Sequence, residues 1–152
     1  IVFLISLYAT CQVYTGGGIG IGIQSTSMVG ELNLGYRIPF EDCPQYSSFS
    51  SGIFIQGGFI AQMNTGEAAI FYGKLGKAIR MDWSSHLEIA AGYSYHLKST
   101  DNKALNSSGG IYSLAWVKSV GIGEIVPSLT YSNGILISSI SIRILFIGKK
   151  YY

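Results

Sequence analysis

Apolar and polar side chains alternate with a period of two through most of this chain. The alternation is clearest in residues 86–97, HLEIAAGYSYHL. One set of alternate positions reads Leu, Ile, Ala, Tyr, Tyr, Leu, and the other reads His, Glu, Ala, Gly, Ser, His. Because successive side chains of a β-strand point to opposite faces, this period predicts a strand between an apolar and a polar environment.

The same period recurs along the chain and predicts an all-β fold. It is clear in GGGIGIGIQ, ELNLGYRIPF, PSLTYS and ISIRILF, and weaker near 52–62, 68–78 and 109–118. The joints EDCPQ, MNTGE, STDNK, LNSSGG and Asn133-Gly134 are rich in turn-forming residues. No segment has a helical period. The predicted strands are 13–23, 29–40, 52–62, 68–78, 86–98, 109–118, 125–132 and 135–147.

Eight antiparallel strands of about ten residues predict a closed up-and-down β-barrel, since closure removes exposed strand edges. Two kinds of barrel fit this strand number. A soluble, lipocalin-like barrel has its apolar face inside, whereas a transmembrane barrel has its apolar face toward lipid and its polar face in the lumen. The period of two is the same in both, so residue size and charge must distinguish them.

Residue size and charge favour the transmembrane barrel. Only 12% of residues are charged, against about 25% in soluble domains, yet no apolar run approaches the roughly 20 residues of a membrane-spanning helix. The polar face consists mainly of Gly, Ala and Ser, which suit the narrow interior of an eight-stranded barrel. Its few long side chains predict an ion-pair network in the lumen with a small positive excess. The predicted lumen network is Glu31, Arg37, Lys74, Glu88 and Arg143.

Aromatic residues predict two girdles, because membrane barrels place such side chains at both interfaces with water. With both termini on one side, one group falls near the rim that holds the termini and the other near the opposite rim. The predicted girdles are Tyr36, Phe40, Trp116 and Phe146 on the terminal side, and Phe59, Phe71, Tyr93, Tyr95, Tyr112 and Tyr131 on the other.

The first eleven residues predict a processing signal. IVFLISLYA has the length of a signal-peptide apolar region, and Ala9-Thr10-Cys11 loosely fits a cleavage site before Gln12. We therefore expect a signal-peptide remnant at 1–11 and a single barrel domain at 12–152, with a first strand or buried segment as the alternative at 1–11. Cleavage after Cys11 leaves Cys43 unpaired, and retention of Cys11 allows a bridge between the two in an oxidising compartment.

Motifs for catalysis or cofactor binding are weak. The G-x-G spacings of 16–22 precede no helix that could hold a phosphate. Ser94 and His96 would suit a nucleophile and its base, but nothing in the pattern orients the imidazole. His86 and His96 lie about 30 Å apart on one strand, too far to share a metal. We expect no enzyme activity, no cofactor and no metal.

The pattern from Gln12 to about residue 147, beginning QVYTGGGIGIGIQ, resembles the small eight-stranded outer-membrane β-barrels of Gram-negative bacteria. The resemblance is to the OmpA/OmpX type and the broader outer-membrane β-barrel domain group, and the start is similar to Bacteroidetes-like members. One departure is the end of the chain. Such barrels usually finish their last strand on an aromatic residue, whereas here ILFIG is followed by Lys149-Lys150-Tyr151-Tyr152.

The resemblance implies a small porin-like outer-membrane protein with a structural, adhesive or surface-interaction role, its lumen plugged by polar and charged side chains. It implies the outer-membrane bilayer as partner, with lipopolysaccharide or a surface partner as further candidates, a monomeric state and no nucleic acid. Two alternatives remain: a soluble lipocalin-like barrel that binds a small apolar ligand, and a lipid-modifying outer-membrane barrel enzyme. Detergent dependence would separate the first, and a lipid hydrolysis assay the second.

Overall fold

A computed structural model describes residues 12–23, 27–40, 51–63, 68–100 and 103–147 of the chain. The predicted signal-peptide remnant at 1–11, Cys11, Cys43 and the last five residues lie outside these ranges. Within them no helix combines the length and apolar character needed to cross a membrane.

The described residues form a closed antiparallel β-barrel of eight strands, in which each strand pairs with its neighbours in the chain and β1 pairs with β8. This confirms the predicted fold class. The strands are β1 (Gln12–Gly22), β2 (Ser27–Pro39), β3 (Gly52–Gln62), β4 (Ala68–Arg80), β5 (Ser85–Thr100), β6 (Lys103–Val120), β7 (Gly123–Ser132) and β8 (Ile135–Ile147).

The strands are strongly staggered around the barrel. A path that follows paired residues from Gln12 returns to β1 at Gly22, ten positions further along the same strand. The path runs through Arg37, Phe54, Gly76, Ala90, Ser113, Thr130 and Ile137. Such a stagger in eight strands requires them to tilt by about 35–45° from the barrel axis. We call the end that holds Gln12 and Ile147 the terminal side, and the opposite end the distal side.

The predicted strand bounds are wrong in the β5–β6 hairpin, match β3 and β8, and differ by at most two residues in the other strands. The joint STDNK does contain the end of β5 and the start of β6, but LNSSGG lies within β6, which pairs with β5 from Ser85–Lys118 to Thr100–Lys103. Backbone pairing with β5 here overrides the turn preference of Asn, Ser and Gly. At the other end β7 begins at Gly123 rather than 125, which places Glu124 inside the barrel wall.

Charged, polar and apolar side chains all fill the lumen. Its terminal half contains buried charged side chains, described below. Toward the distal side lies an apolar cluster of Val29, Ile60, Ile70, Tyr72, Ile111 and Ile137. The expectation of a plug made of polar and charged side chains was therefore incomplete. These inward apolar residues also explain the weak alternation of 52–62, 68–78 and 109–118, because both faces of β3, β4 and β6 carry apolar side chains.

Glycines in β1 allow close contact with β8. A Cβ atom added at Gly18 would lie 2.5 Å from the carbonyl oxygen of Ile140 and 2.5 Å from Cβ of Ser141. Gly35 of β2 leaves room for the ring of Tyr14, its partner across the strand pair. The small inward residues of the sequence thus mark places where backbone or an aromatic ring fills the lumen.

Candidate functional site in the barrel lumen

Two arginines and two glutamates meet in the terminal half of the lumen, each at most 2% exposed. Arg37 lies 2.7 Å from Glu88 and 3.0 Å from Glu124. Arg143 lies 2.8 Å from Glu88 and 3.8 Å from Glu124. The strands β2, β5, β7 and β8 each supply one member. The contacts of Glu88 and the Arg37–Glu124 pair link strands that are not neighbours, whereas Glu124 and Arg143 are partners on the adjacent strands β7 and β8. We call these four residues the charged quartet.

Neutral polar side chains surround the charged quartet. Gln12 accepts a hydrogen bond of 3.2 Å from Arg37, and Gln56 accepts one of 3.3 Å from the Tyr14 hydroxyl. The Tyr14 ring lies under both guanidinium groups, with its centroid 4.7 Å from Cζ of Arg143 and 5.4 Å from Cζ of Arg37. These contacts offset part of the cost of removing the charges from water.

His86 lies at the terminal edge of the charged quartet. Its Nε2 is 3.1 Å from Oε1 of Glu88, and the residue is 1% exposed. The sequence placed this histidine on the polar face of β5, and the register puts it opposite Val117 of β6. It therefore forms part of the same buried cluster.

Glu31 and Lys74, the other two members of the predicted network, face the lumen but lie apart from the charged quartet. Glu31 accepts a hydrogen bond of 2.5 Å from the Tyr72 hydroxyl, and Lys74 donates one of 3.1 Å to Ser113. A chain of contacts joins Glu31 to the charged quartet through Tyr72 and Gln56, since Gln56 donates to Tyr72 and accepts from Arg143.

Glu124 is the lumen residue that the sequence reasoning missed. The predicted strand begins at 125, which leaves Glu124 just outside it. The alternation of Ile125 with Val126 is uninformative, since one is exposed and the other is buried in an apolar cluster. A charge argument could have found it. The predicted network held three cations and two anions, and Glu124 supplies the missing negative charge.

Ser94, His96 and Ser132 form a second polar cluster near the distal side. Oγ of Ser132 lies 2.6 Å from Oγ of Ser94 and 2.8 Å from Nε2 of His96, and Ser94 lies 3.2 Å from the same nitrogen. Both serines are 0% exposed, so their hydroxyls are closed off from a substrate outside the barrel. Across the described residues, no group of His, Cys, Asp and Glu side chains is arranged to hold a metal ion.

The predicted girdle residues lie on the outer face of the barrel, and their arrangement in two girdles stays a prediction. Toward the terminal side Tyr36 pairs with Val13, which pairs with Phe146, and Phe40 directly follows β2. Trp116 pairs with Leu87 near the β4–β5 turn. In the other group Tyr112 pairs with Tyr131, Tyr95 pairs with Phe71, and Tyr93 lies one step further along the outer face of β5.

Neither protein-family models nor curated proteins match this chain. Solved structures do match over most of its length. Designed transmembrane β-barrels align with a TM-score of 0.59 at 14% identity, covering 91% of this chain and 96% of theirs. The outer membrane protein Ail of Yersinia pestis, in a phospholipid bilayer nanodisc, aligns with a TM-score of 0.55 at 10% identity, covering 89% and 99%. The N-terminal β-barrel domain of Pseudomonas aeruginosa OprF gives 0.57 at 5% identity, covering 90% and 98%.

At such low identity the likeness concerns the fold alone. The matched chains are barrels of the same closed architecture and nearly the same length. The likeness agrees with the eight-stranded barrel described above and does not transfer a binding partner or a role.

Proposed function

We propose that the chain is a small bacterial outer-membrane β-barrel with a structural, adhesive or surface-interaction role and without catalytic activity. The observation that carries the proposal is the outer surface of the barrel. Large apolar side chains are exposed at the middle of the strands, with Leu34 at 60%, Leu75 at 58% and Ile142 at 62% exposure. The side chains of the charged quartet are instead buried in the lumen.

This distribution is the reverse of that in a soluble barrel. Burying an isolated charge is costly, and exposing a continuous apolar surface to water is unfavourable by about 25 cal/mol per Å². A hydrocarbon environment removes the cost of exposing the apolar surface. Pairing within the charged quartet reduces the cost of burying the charges. The outer face therefore argues against the lipocalin-like alternative. The likeness to designed transmembrane barrels and to Ail in a bilayer nanodisc supports the same choice.

The lumen supports a structural role rather than conduction. Arg37, Phe54 and Ile111, from different levels of the barrel, are at most 1% exposed. Eight strands leave an interior just wide enough for side chains to fill. We propose that the predicted lumen network, extended by Glu124 and His86, braces opposite walls of the barrel.

The lipid-modifying enzyme is the weaker alternative. Ser94 and Ser132 are enclosed, and no carboxylate among the described residues hydrogen-bonds His96 in the way that a catalytic base is usually oriented. The cluster fits a polar link between β5 and β7. A lipid hydrolysis assay on Ser94→Ala and the native protein tests this alternative directly.

The finer assignment, to the OmpA/OmpX type and to Bacteroidetes-like members, is proposed on the start QVYTGGGIGIGIQ and its preceding apolar run. Under it, residues 1–11 are the remnant of a signal peptide. We further propose that the protein is a monomer in contact with the bilayer. Lipopolysaccharide or a surface partner is a further candidate for binding.

Fractionation of cells that express the full-length product tests the proposal. We expect recovery with outer membranes, a requirement for detergent in solution, and a faster electrophoretic migration of unheated than of heated samples, as folded barrels resist unfolding in the gel. A detergent-free, monodisperse monomer in the periplasmic fraction would overturn the proposal and restore the lipocalin-like alternative.

A further inference from the structure

The outward face of the described strands carries two charged side chains, and both lie near the terminal side. Lys77 is exposed near the end of β4, and Lys118 is half-buried near the end of β6. They flank β5, since Lys77 pairs with Ile89 and Lys118 pairs with Ser85. Every other described outward position on the eight strands is uncharged.

Both tryptophans of the chain lie in the same region. Trp83, in the β4–β5 turn, is 77% exposed, and Trp116 is on the outward face of β6 two residues from Lys118. The ammonium group of Lys118 lies 5.9 Å from the centroid of the Trp83 ring and donates a hydrogen bond to the Ser84 hydroxyl. Lys118 is thus held in place, with ammonium donors left for another ligand.

The carboxylate of Asp82 lies near Lys118 and stays ionised. Asp82 accepts hydrogen bonds from the Ser85 hydroxyl at 2.6 Å and from the Ser84 backbone N–H at 2.6 Å. These bonds hold the pKa of Asp82 well below its ordinary value. In the described residues from 68 to 120 the other carboxylate is Glu88, which points into the lumen. Because Lys77 and Lys118 stand against this one carboxylate, the outer surface here has a local positive excess.

An apolar groove continues from this basic region along the outer face toward the distal side. It has a volume of 510 Å³ and is lined by Ile89, Ala91, Tyr112, Leu114, Leu129 and Tyr131, among others. Tyr112 and Leu114 continue the outward row of β6 above Trp116 and Lys118. A cation, two indole rings and an apolar groove thus follow each other from the rim toward the middle of the barrel.

We propose that this surface binds one anionic phospholipid, with its phosphate at Lys118 and an acyl chain in the groove. The proposal rests on the proposed membrane function and adds a lipid class and a leaflet, the one on the terminal side. Lys77 supplies a second positive charge, and Trp83 and Trp116 lie at the depth of the headgroups. A basic residue near an anionic headgroup contributes about 1 kcal/mol, which corresponds to about a fivefold preference.

The two tryptophans provide the measurement, because both probe this region. The full-length protein is refolded into phosphatidylcholine vesicles that contain brominated phosphatidylglycerol or brominated phosphatidylcholine, and quenching of tryptophan fluorescence gives relative lipid affinities. We expect the native protein to prefer the anionic lipid about fivefold, with a smaller preference at high salt. Lys118→Gln should bring the two affinities close to equality, and Lys118→Arg should retain the preference.

Lys98→Gln is the matched control, since Lys98 is an exposed lysine of β5 at the distal side and should leave the preference intact. Equal quenching by both lipids in the native protein, or an unchanged preference in Lys118→Gln, would overturn the lipid site and leave the proposed membrane function standing. Absence of quenching by either lipid would overturn both.

Discussion

At the scale of single residues, Glu88 links three strands through its side-chain contacts. It is 2% exposed and contacts Arg37 of β2 and Arg143 of β8, as well as His86 on its own strand. The alternation placed Glu88, Arg37 and Arg143 on the inner face, because a period of two determines which side chains of a strand share a face. It did not predict which lumen charges touch, because that depends on the stagger of all eight strands. The stagger follows from turns and packing that a single strand does not encode.

The first prediction concerns the Glu88–Arg143 contact. Glu88→Gln should destabilise the barrel by about 3–5 kcal/mol, because it leaves two buried guanidinium groups with fewer anionic partners. Adding Arg143→Met should recover part of that loss, since one uncompensated charge is removed. Urea unfolding in detergent or lipid vesicles, arranged as a double-mutant cycle, measures the coupling free energy.

Glu31→Gln is the matched control for this cycle. Glu31 also faces the lumen, but within the described part of the chain no cation lies within 4.0 Å of it, and glutamine can still accept from the Tyr72 hydroxyl. Glu31→Gln should lower the free energy of unfolding by about 0.5–1.5 kcal/mol, which is typical of a single hydrogen bond. Additive effects of Glu88→Gln and Arg143→Met, or an equal loss in Glu31→Gln, would show that the quartet does not act as a unit.

At the scale of elements, closure of β1 against β8 depends on residues without side chains. Gly18 is paired with Ser141, and the space for a Cβ atom there is taken by the backbone of β8. The sequence shows a glycine-rich β1, but glycine alone does not distinguish a weak strand from one pressed against a neighbour. The tight β7–β8 turn was easier to predict. Asn133 and Gly134 have φ values of 47° and 83°, and Asn-Gly is the common pair for such a turn.

The second prediction concerns this closure. Gly18→Ala should slow or prevent barrel folding, because the added methyl group would collide with the carbonyl of Ile140, and a backbone atom cannot turn away as a side chain can. Gly73→Ala is the matched control, since a Cβ atom at outward-facing Gly73 meets nothing within 4 Å. The folded fraction after refolding, read from the migration of unheated samples, compares the two. Equal yields would mean that β1 and β8 separate more easily than their register indicates.

The third prediction concerns acid sensitivity of the β4–β5 turn. The hydrogen bonds from Ser85 and Ser84 lower the pKa of Asp82 in the folded protein below its unfolded value. A carboxyl group of this kind stabilises the fold fully above its unfolded pKa, near 3.9, and loses that contribution as the pH falls toward the folded pKa. The stability difference between the native protein and Asp82→Asn should therefore be constant from about pH 7 to 5 and narrow below about pH 4. Urea unfolding midpoints of both proteins between about pH 7 and pH 3 measure this stability difference. A difference that grows as the pH falls would contradict the assigned hydrogen bonds.

At the scale of the whole molecule, polarity is arranged by depth as well as by face. The outer surface is apolar at the middle of the strands, whereas the lumen holds the charged quartet in its terminal half and its largest described apolar cluster toward the distal side. Period and residue size were enough to predict the barrel and the identity of its faces. They could not predict the apolar cluster of the lumen, because Ile60 and Ile70 are residues of the same type as those on the outer face. Only the strand register shows that these two side chains point inward.

The last prediction tests whether depth in a bilayer decides the effect of a charge on the outer face. Leu34, at the middle of β2, is 60% exposed, and Val120, at the end of β6, is 58% exposed, so the two positions differ in depth rather than in exposure. Arginine costs about 2–4 kcal/mol at the bilayer midplane and about 0–1 kcal/mol near the interface. Leu34→Arg should therefore lower the free energy of unfolding in phospholipid vesicles by the larger amount, and Val120→Arg by little. In small detergent micelles, which adapt their shape, the gap between the variants should shrink. If both substitutions cost the same in vesicles, the outer face would not be a lipid-facing surface graded by depth.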